Sequence, residues 1–176
     1  MKPRLLVLSD LWGIEKAPWL NHYLIDLSAV FDIQVYDSCQ LAGLPTEELP
    51  EAVRHAHFVN EGIEAACNQL LRLEPKAVTV LAFSVGGTIA WQAGLKGLPI
   101  QRLIALSSTR LRYETQSLNT PVHLYFGAND PYAPASEWLE RMPVTYERIP
   151  GFGHQLYTEQ QIAQQIVKEL KASATP

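Results

Sequence analysis

A chain of 176 residues with 47% hydrophobic and 18% charged residues can build a real core and is not disordered in composition. Its net charge of −4, with no basic run, argues against a nucleic-acid surface. Two cysteines make no disulfide framework, the short apolar run after Met1 is interrupted by Asp10, and no stretch has the length of a membrane span. One domain over residues 1–176, in a reducing, cytoplasmic setting, is the expectation, with neither nucleic acid nor membrane as partner.

Leu5 to Leu8 reads as a buried strand ended by Ser9-Asp10, with the loop Leu11-Trp12-Gly13 after it. Pro18 suits the first turn of a helix whose apolar stripe is Trp19, Leu20, Tyr23, Leu24, Leu27 and Val30. Phe31 to Tyr36 is a second strand, and Leu41 to Pro50, punctuated by Gly43 and Pro45, is expected as loop. A helical region from about Glu51 to Leu73, with room for one break, ends before Pro75. Val78 to Phe83 is β-branched and apolar, as in a strand buried on both faces, and a helix opens just after Ser84. Ile100 to Leu106 is the next strand, and Ser107 to Thr120 is polar and irregular. Pro121 to Phe126 is a strand ended by Gly127-Ala128-Asn129-Asp130-Pro131, and a helix covers about Ala135 to Arg141. The last strand, Val144 to Ile149, leads into Pro150-Gly151-Phe152-Gly153-His154. A closing helix carries the stripe Ile162, Ala163, Ile166, Val167 and Leu170, with Thr158 and Gln161 spaced as a capping box.

Six strands alternating with helices predict an α/β fold: a doubly wound, mainly parallel sheet with right-handed crossovers. In such sheets functional residues gather in loops after the carboxyl ends of strands. Ser84, Asp130, His154 and the Asp10–Gly13 loop all hold that kind of position. A serine hydroxyl needs a base to become a nucleophile, and histidine titrates near neutrality. A carboxylate on the other ring nitrogen would fix the tautomer.

Ala82-Phe83-Ser84-Val85-Gly86-Gly87 fits a nucleophile elbow, G-x-S-x-G with Ala in the first Gly position. With Gly127-Ala128-Asn129-Asp130 after one strand and Gly151-Phe152-Gly153-His154 after the last, the chain resembles the α/β-hydrolases over essentially its whole length. The order serine, acid, histidine is that of the family. The resemblance implies Ser84 as nucleophile, Asp130 as orienting acid and His154 as base. It also implies oxyanion donors in the backbone N–H groups of Val85 and Leu11. It implies a small-molecule acyl substrate, an ester or thioester, and no cofactor or metal. Trp12 either lines the pocket mouth or packs on the sheet edge.

Two departures qualify the carry-over. Ser9-Asp10 stands where most members have His-Gly, so a carboxylate lies close to the developing oxyanion and would slow acyl chemistry unless paired or turned away. Residues 107–120 are too few for a cap, so a minimal member without a cap domain is expected, with an open, shallow site. The alternative reading is a non-catalytic binding or interaction module on the same fold. His55 and His57 do not share a helix face and so make a poor metal pair. Cys39 and Cys67 read as ordinary thiols, Asn129 as a turn former, and Gly86-Gly87-Thr88 lacks the lysine of a phosphate-binding loop.

Overall fold

Alternate residues of the central strands go to opposite faces of one sheet, and both faces are buried. The computed structural model describes residues 2–45 and 47–174. Its strands are β1 (Arg4–Leu8), β2 (Asp32–Tyr36), β3 (Val78–Phe83), β4 (Ile100–Leu106), β5 (Val122–Gly127) and β6 (Thr145–Ile149). They lie in the order β2-β1-β3-β4-β5-β6, and every neighbouring pair is parallel. The helices are α1 (Asn21–Leu27), α2 (Ser38–Leu41), α3 (Glu51–His57), α4 (Ile63–Leu73), α5 (Val85–Leu95), α6 (Ser136–Arg141) and α7 (Gln160–Ala174).

The near-continuous apolar runs of β1, β3 and β4 follow from this double burial. Leu5, Val7, Leu81, Phe83, Ile104 and Leu106 face one core, closed by Tyr23 and Leu27 of α1 and by Ile162, Ile166 and Leu170 of α7. Leu6, Leu8, Val80, Ala82, Leu103 and Ala105 face the other, closed by Phe58, Cys67 and Leu70, by Ile89 and Trp91 of α5, and by Trp138 of α6. The doubly wound parallel sheet expected from the sequence is the one observed. No cap is inserted between β4 and β5, where residues 107–121 form only a 3-10 turn, Thr109–Tyr113. Among the described residues no helix is long and apolar enough to cross a membrane.

Several boundaries differ from the sequence reading. Pro18 starts a 3-10 turn, Pro18–Leu20, that runs into α1 rather than a single longer helix. The expected break between 51 and 73 is a π turn, Phe58–Gly62. The expected loop from Leu41 is preceded by the short α2, which Asp37 caps by accepting from the amides of Cys39 and Gln40; Thr46 of that loop lies outside the described residues. The capping box does not form. The Thr158 hydroxyl donates to the Gln155 carbonyl, 2.9 Å, and the carbonyl of Glu159 accepts the first bonds of α7. A hydroxyl at the end of a 3-10 turn finds a nearer acceptor behind it than the donors ahead.

Candidate active site

The chain turns from β3 into α5 at a single residue. Ser84 has φ 50° and ψ −119°, a backbone conformation rarely occupied by a residue with a side chain. Such strain persists only where neighbours hold it. The amide of Ser84 donates to the Leu106 carbonyl, 2.8 Å, and its carbonyl accepts the Ser108 hydroxyl at 2.8 Å and the Gly87 amide at 3.1 Å. Close approach explains the two glycines that follow. A Cβ at Gly86 would lie 2.7 Å from the Ser9 carbonyl oxygen, and one at Gly87 would lie 1.9 Å from Ser108 Oγ.

The acid loop and the histidine loop are in contact. A Cβ at Gly127 would lie 2.3 Å from the carbonyl oxygens of Phe152 and Gly153, so only glycine lets the two loops cross. The Asn129 amide donates to the Phe152 carbonyl, 2.9 Å, and the Ala128 amide to that of Ile149, 2.9 Å. Asn129 is otherwise an exposed turn residue. The Ser107 hydroxyl donates to the His154 carbonyl from the end of β4.

These constraints bring three distant side chains into one hydrogen-bonded row. Ser84 Oγ is 3.1 Å from His154 Nε2, and His154 Nδ1 is 2.8 Å from Asp130 Oδ2. The Asp130 carboxylate is fully buried, whereas His154 is half-open at 37%. The other carboxylate oxygen of Asp130 accepts the Tyr132 amide at 3.0 Å, which locks its plane. A buried acid, a half-open imidazole and a hydroxyl at a helix N-terminus form an arrangement able to pass a proton from the hydroxyl to the ring. The amide of Val85, at the first position of α5, and that of Leu11, in the turn after β1, have no hydrogen-bond partner among the described residues.

Asp10 does not stand free beside those amides. Its Oδ1 accepts the Trp12 amide and its Oδ2 accepts the Tyr157 hydroxyl, both at 3.0 Å. The carboxyl is buried, and burial pushes its pKa above the ordinary value against the pull of these two donors and of His154. The Trp12 bond is an Asx turn that shapes the loop carrying Leu11. Trp12 itself is half-buried, with the Arg54 guanidinium 5.7 Å and the Lys16 ammonium 5.9 Å from its ring.

Other candidates from the sequence are used elsewhere. His57 Nε2 pairs with the Ala42 carbonyl, 2.9 Å, and His55 is exposed. No group of three or more metal-binding side chains occurs among the described residues. Burial pushes the Cys39 thiol up to about 11 and that of Cys67 up to about 12, so neither offers a thiolate near neutral pH. The sequence reading missed Ser107, Ser108, Tyr157 and Arg54. The signal for the serine pair was small polar residues directly at the end of a buried strand. No local pattern marks Tyr157 or Arg54, whose roles depend on contacts 147 and 15 positions away.

No protein-family model and no curated protein matches the sequence. Solved structures do resemble it along its length. A proposed hydrolase of the alpha/beta superfamily from Xanthomonas campestris pv. campestris is 16% identical, with a TM-score of 0.71 over 98% of this chain and 99% of that one. A proposed dienelactone hydrolase from Klebsiella pneumoniae is 14% identical, with a TM-score of 0.70 over 97% and 85%. A structure from work on carboxylesterases of the thaumarchaeon Nitrososphaera gargenis is 12% identical, with a TM-score of 0.70 over 98% and 91%. With the parallel sheet order and the strained serine turn between β3 and α5, these likenesses establish that the chain has the α/β-hydrolase fold.

Proposed function

We propose that the protein is a serine hydrolase acting on a small ester or thioester. The observation that carries this reading is the row Ser84 Oγ–His154 Nε2–His154 Nδ1–Asp130 Oδ2, assembled from three separate loops at 3.1 and 2.8 Å. The hydrolase and carboxylesterase descriptions of structures with this fold support it.

In this proposal Ser84 Oγ attacks the acyl carbon while His154 Nε2 takes its proton. Asp130 holds the ring with Nδ1–H toward the carboxylate and stabilises the imidazolium that forms. The oxyanion of the tetrahedral intermediate accepts from the amides of Val85 and Leu11. His154 then gives its proton to the leaving group, and the Ser84 acyl ester remains. Water attacks that ester with His154 again as base, releasing the acid and restoring the serine. The pairing of Asp10 with Trp12 and Tyr157 supports a working oxyanion site, because the carboxyl is held by donors and disfavoured as an anion. Two buried free thiols fit the reducing, cytoplasmic setting that belongs to this reading.

A fluorophosphonate probe tests it. Wild-type protein becomes labelled, and Ser84→Ala does not. Turnover of p-nitrophenyl acetate falls at least about 10³-fold in His154→Ala, and about 10³–10⁴-fold in Asp130→Asn, which leaves the ring in the wrong tautomer. Folded wild-type protein that resists every serine-directed probe would instead be a binding module on a hydrolase scaffold.

A further inference from the structure

We propose that the acyl group taken by this site carries a carboxylate, and that Arg54 on α3 binds it. The inference rests on the hydrolase reading above and adds a substrate class to it.

Arg54 is only 6% exposed. Arginine is rarely buried to that degree without an acid beside it. Here the one hydrogen bond of the guanidinium runs from Nη1 to Cys39 Sγ, 3.2 Å, and a thiol is a weak acceptor. Nε is buried with no partner, and Nη2 has none among the described residues either. The nearby carboxylates are committed elsewhere. Asp10 holds the Trp12 amide and the Tyr157 hydroxyl. Asp37 holds the amides of Ile14, Cys39 and Gln40. Glu48 pairs with Lys16 at 2.8 Å. A buried cation without a paired anion is costly, and an anionic ligand group offsets that cost.

The position points to the substrate. Cys39 Sγ, which accepts from Arg54, itself donates to the Leu11 carbonyl at 3.1 Å. Leu11 is the residue whose amide would polarise the reacting carbonyl. The guanidinium thus stands two hydrogen bonds from the Leu11 carbonyl, against the ring of Trp12. Nε is sealed from solvent, so the donor left open to a ligand is Nη2, and a guanidinium N–H to a carboxylate is a charge-assisted hydrogen bond. A diacid half-ester, with its free carboxylate a few atoms from the scissile carbonyl, fits both ends of this arrangement.

The test compares mono-p-nitrophenyl glutarate with p-nitrophenyl valerate, which match in acyl length and differ in charge. Wild-type kcat/KM should favour the glutarate ester by about tenfold or more, the scale of a hydrogen bond between charged groups. In Arg54→Met that ratio should collapse, through a rise in KM for the glutarate ester, and Arg54→Lys should restore part of it. A wild-type ratio of one or less, or a ratio that Arg54→Met leaves unchanged, overturns the proposal. Should Arg54→Met fail to fold, wild-type protein decides: glutarate should slow fluorophosphonate labelling of Ser84 more than valeramide does, and equal protection overturns the proposal. Protein that labels at Ser84 yet shows no carboxylate preference sinks only this inference. Protein that neither labels nor hydrolyses either ester sinks the hydrolase reading; glutarate binding that Arg54→Met weakens about tenfold would then uphold the carboxylate site, and no binding would overturn it too.

Discussion

Asp10 stands where a free carboxylate would oppose an oxyanion, and the structure shows it paired with the Trp12 amide and the Tyr157 hydroxyl. A carboxyl with a pKa raised by burial keeps its proton better in the folded chain than in the unfolded one. Folding therefore takes up a proton between the ordinary value and the raised one, and stability falls as pH rises through that window. Below the window this penalty is absent, and above it the penalty is constant. Asn at position 10 keeps an acceptor for the Trp12 amide and cannot ionise. Asp10→Asn should flatten the fall in urea midpoint as pH rises above the ordinary carboxyl value. An unchanged slope would show that another group sets it. The placing of Ser84, Asp130 and His154 in one row was legible because each lies just past the end of a strand with small residues close by in sequence. Arg54 was not, because only the packing of α3 under the Leu11–Trp12 loop shows it buried and unpaired.

At the scale of elements, the site depends on how closely α5 approaches the ends of β1 and β4. Gly87 is the contact point, since a methyl group there would meet Ser108 Oγ at 1.9 Å and Ser108 Cβ at 2.6 Å. Overpacking of this kind costs about 1–3 kcal/mol. Gly87→Ala should lower stability by about that amount in a urea melt, and it should also slow labelling of Ser84 as the elbow shifts. Ser108→Gly in the same chain should return much of the stability by clearing the space. It should not restore full labelling, because the 2.8 Å bond to the Ser84 carbonyl is gone. If the double variant is no more stable than Gly87→Ala, the clash is not the cause. The sequence reading asked for small residues two before and two after Ser84, and found Ala82 and Gly86. It had no reason to single out Gly87, whose neighbour comes from the next strand.

On the scale of the whole molecule, the missing insertion between β4 and β5 leaves the serine and the half-open histidine without a cover. Long acyl chains gain affinity by burying methylenes, at about 0.8 kcal/mol each, and an uncapped site has little wall to bury them against. In a series of p-nitrophenyl esters, kcat/KM should peak at short chains. A clear preference for chains of about ten carbons or more would show that a long apolar groove is present. The sheet order reinforces the point. β1 and β3 are neighbours from which the chain departs in opposite directions, and the loops after them carry Leu11 and Ser84. Ligands of open α/β sheets bind at such a switch point.

The sequence by itself determined the parallel sheet, the strand–serine–helix turn and the order of serine, acid and histidine. Each of these is written in local patterns: apolar runs buried on both faces, and glycines where backbones nearly touch. Only the tertiary structure decided that Asp10 is paired, that Ser107 and Ser108 brace the histidine and serine turns, and that Arg54 is buried with no carboxylate hydrogen-bonded to it among the described residues. Those facts depend on hydrogen bonds between residues far apart in the chain, and periodicity carries no record of such partners.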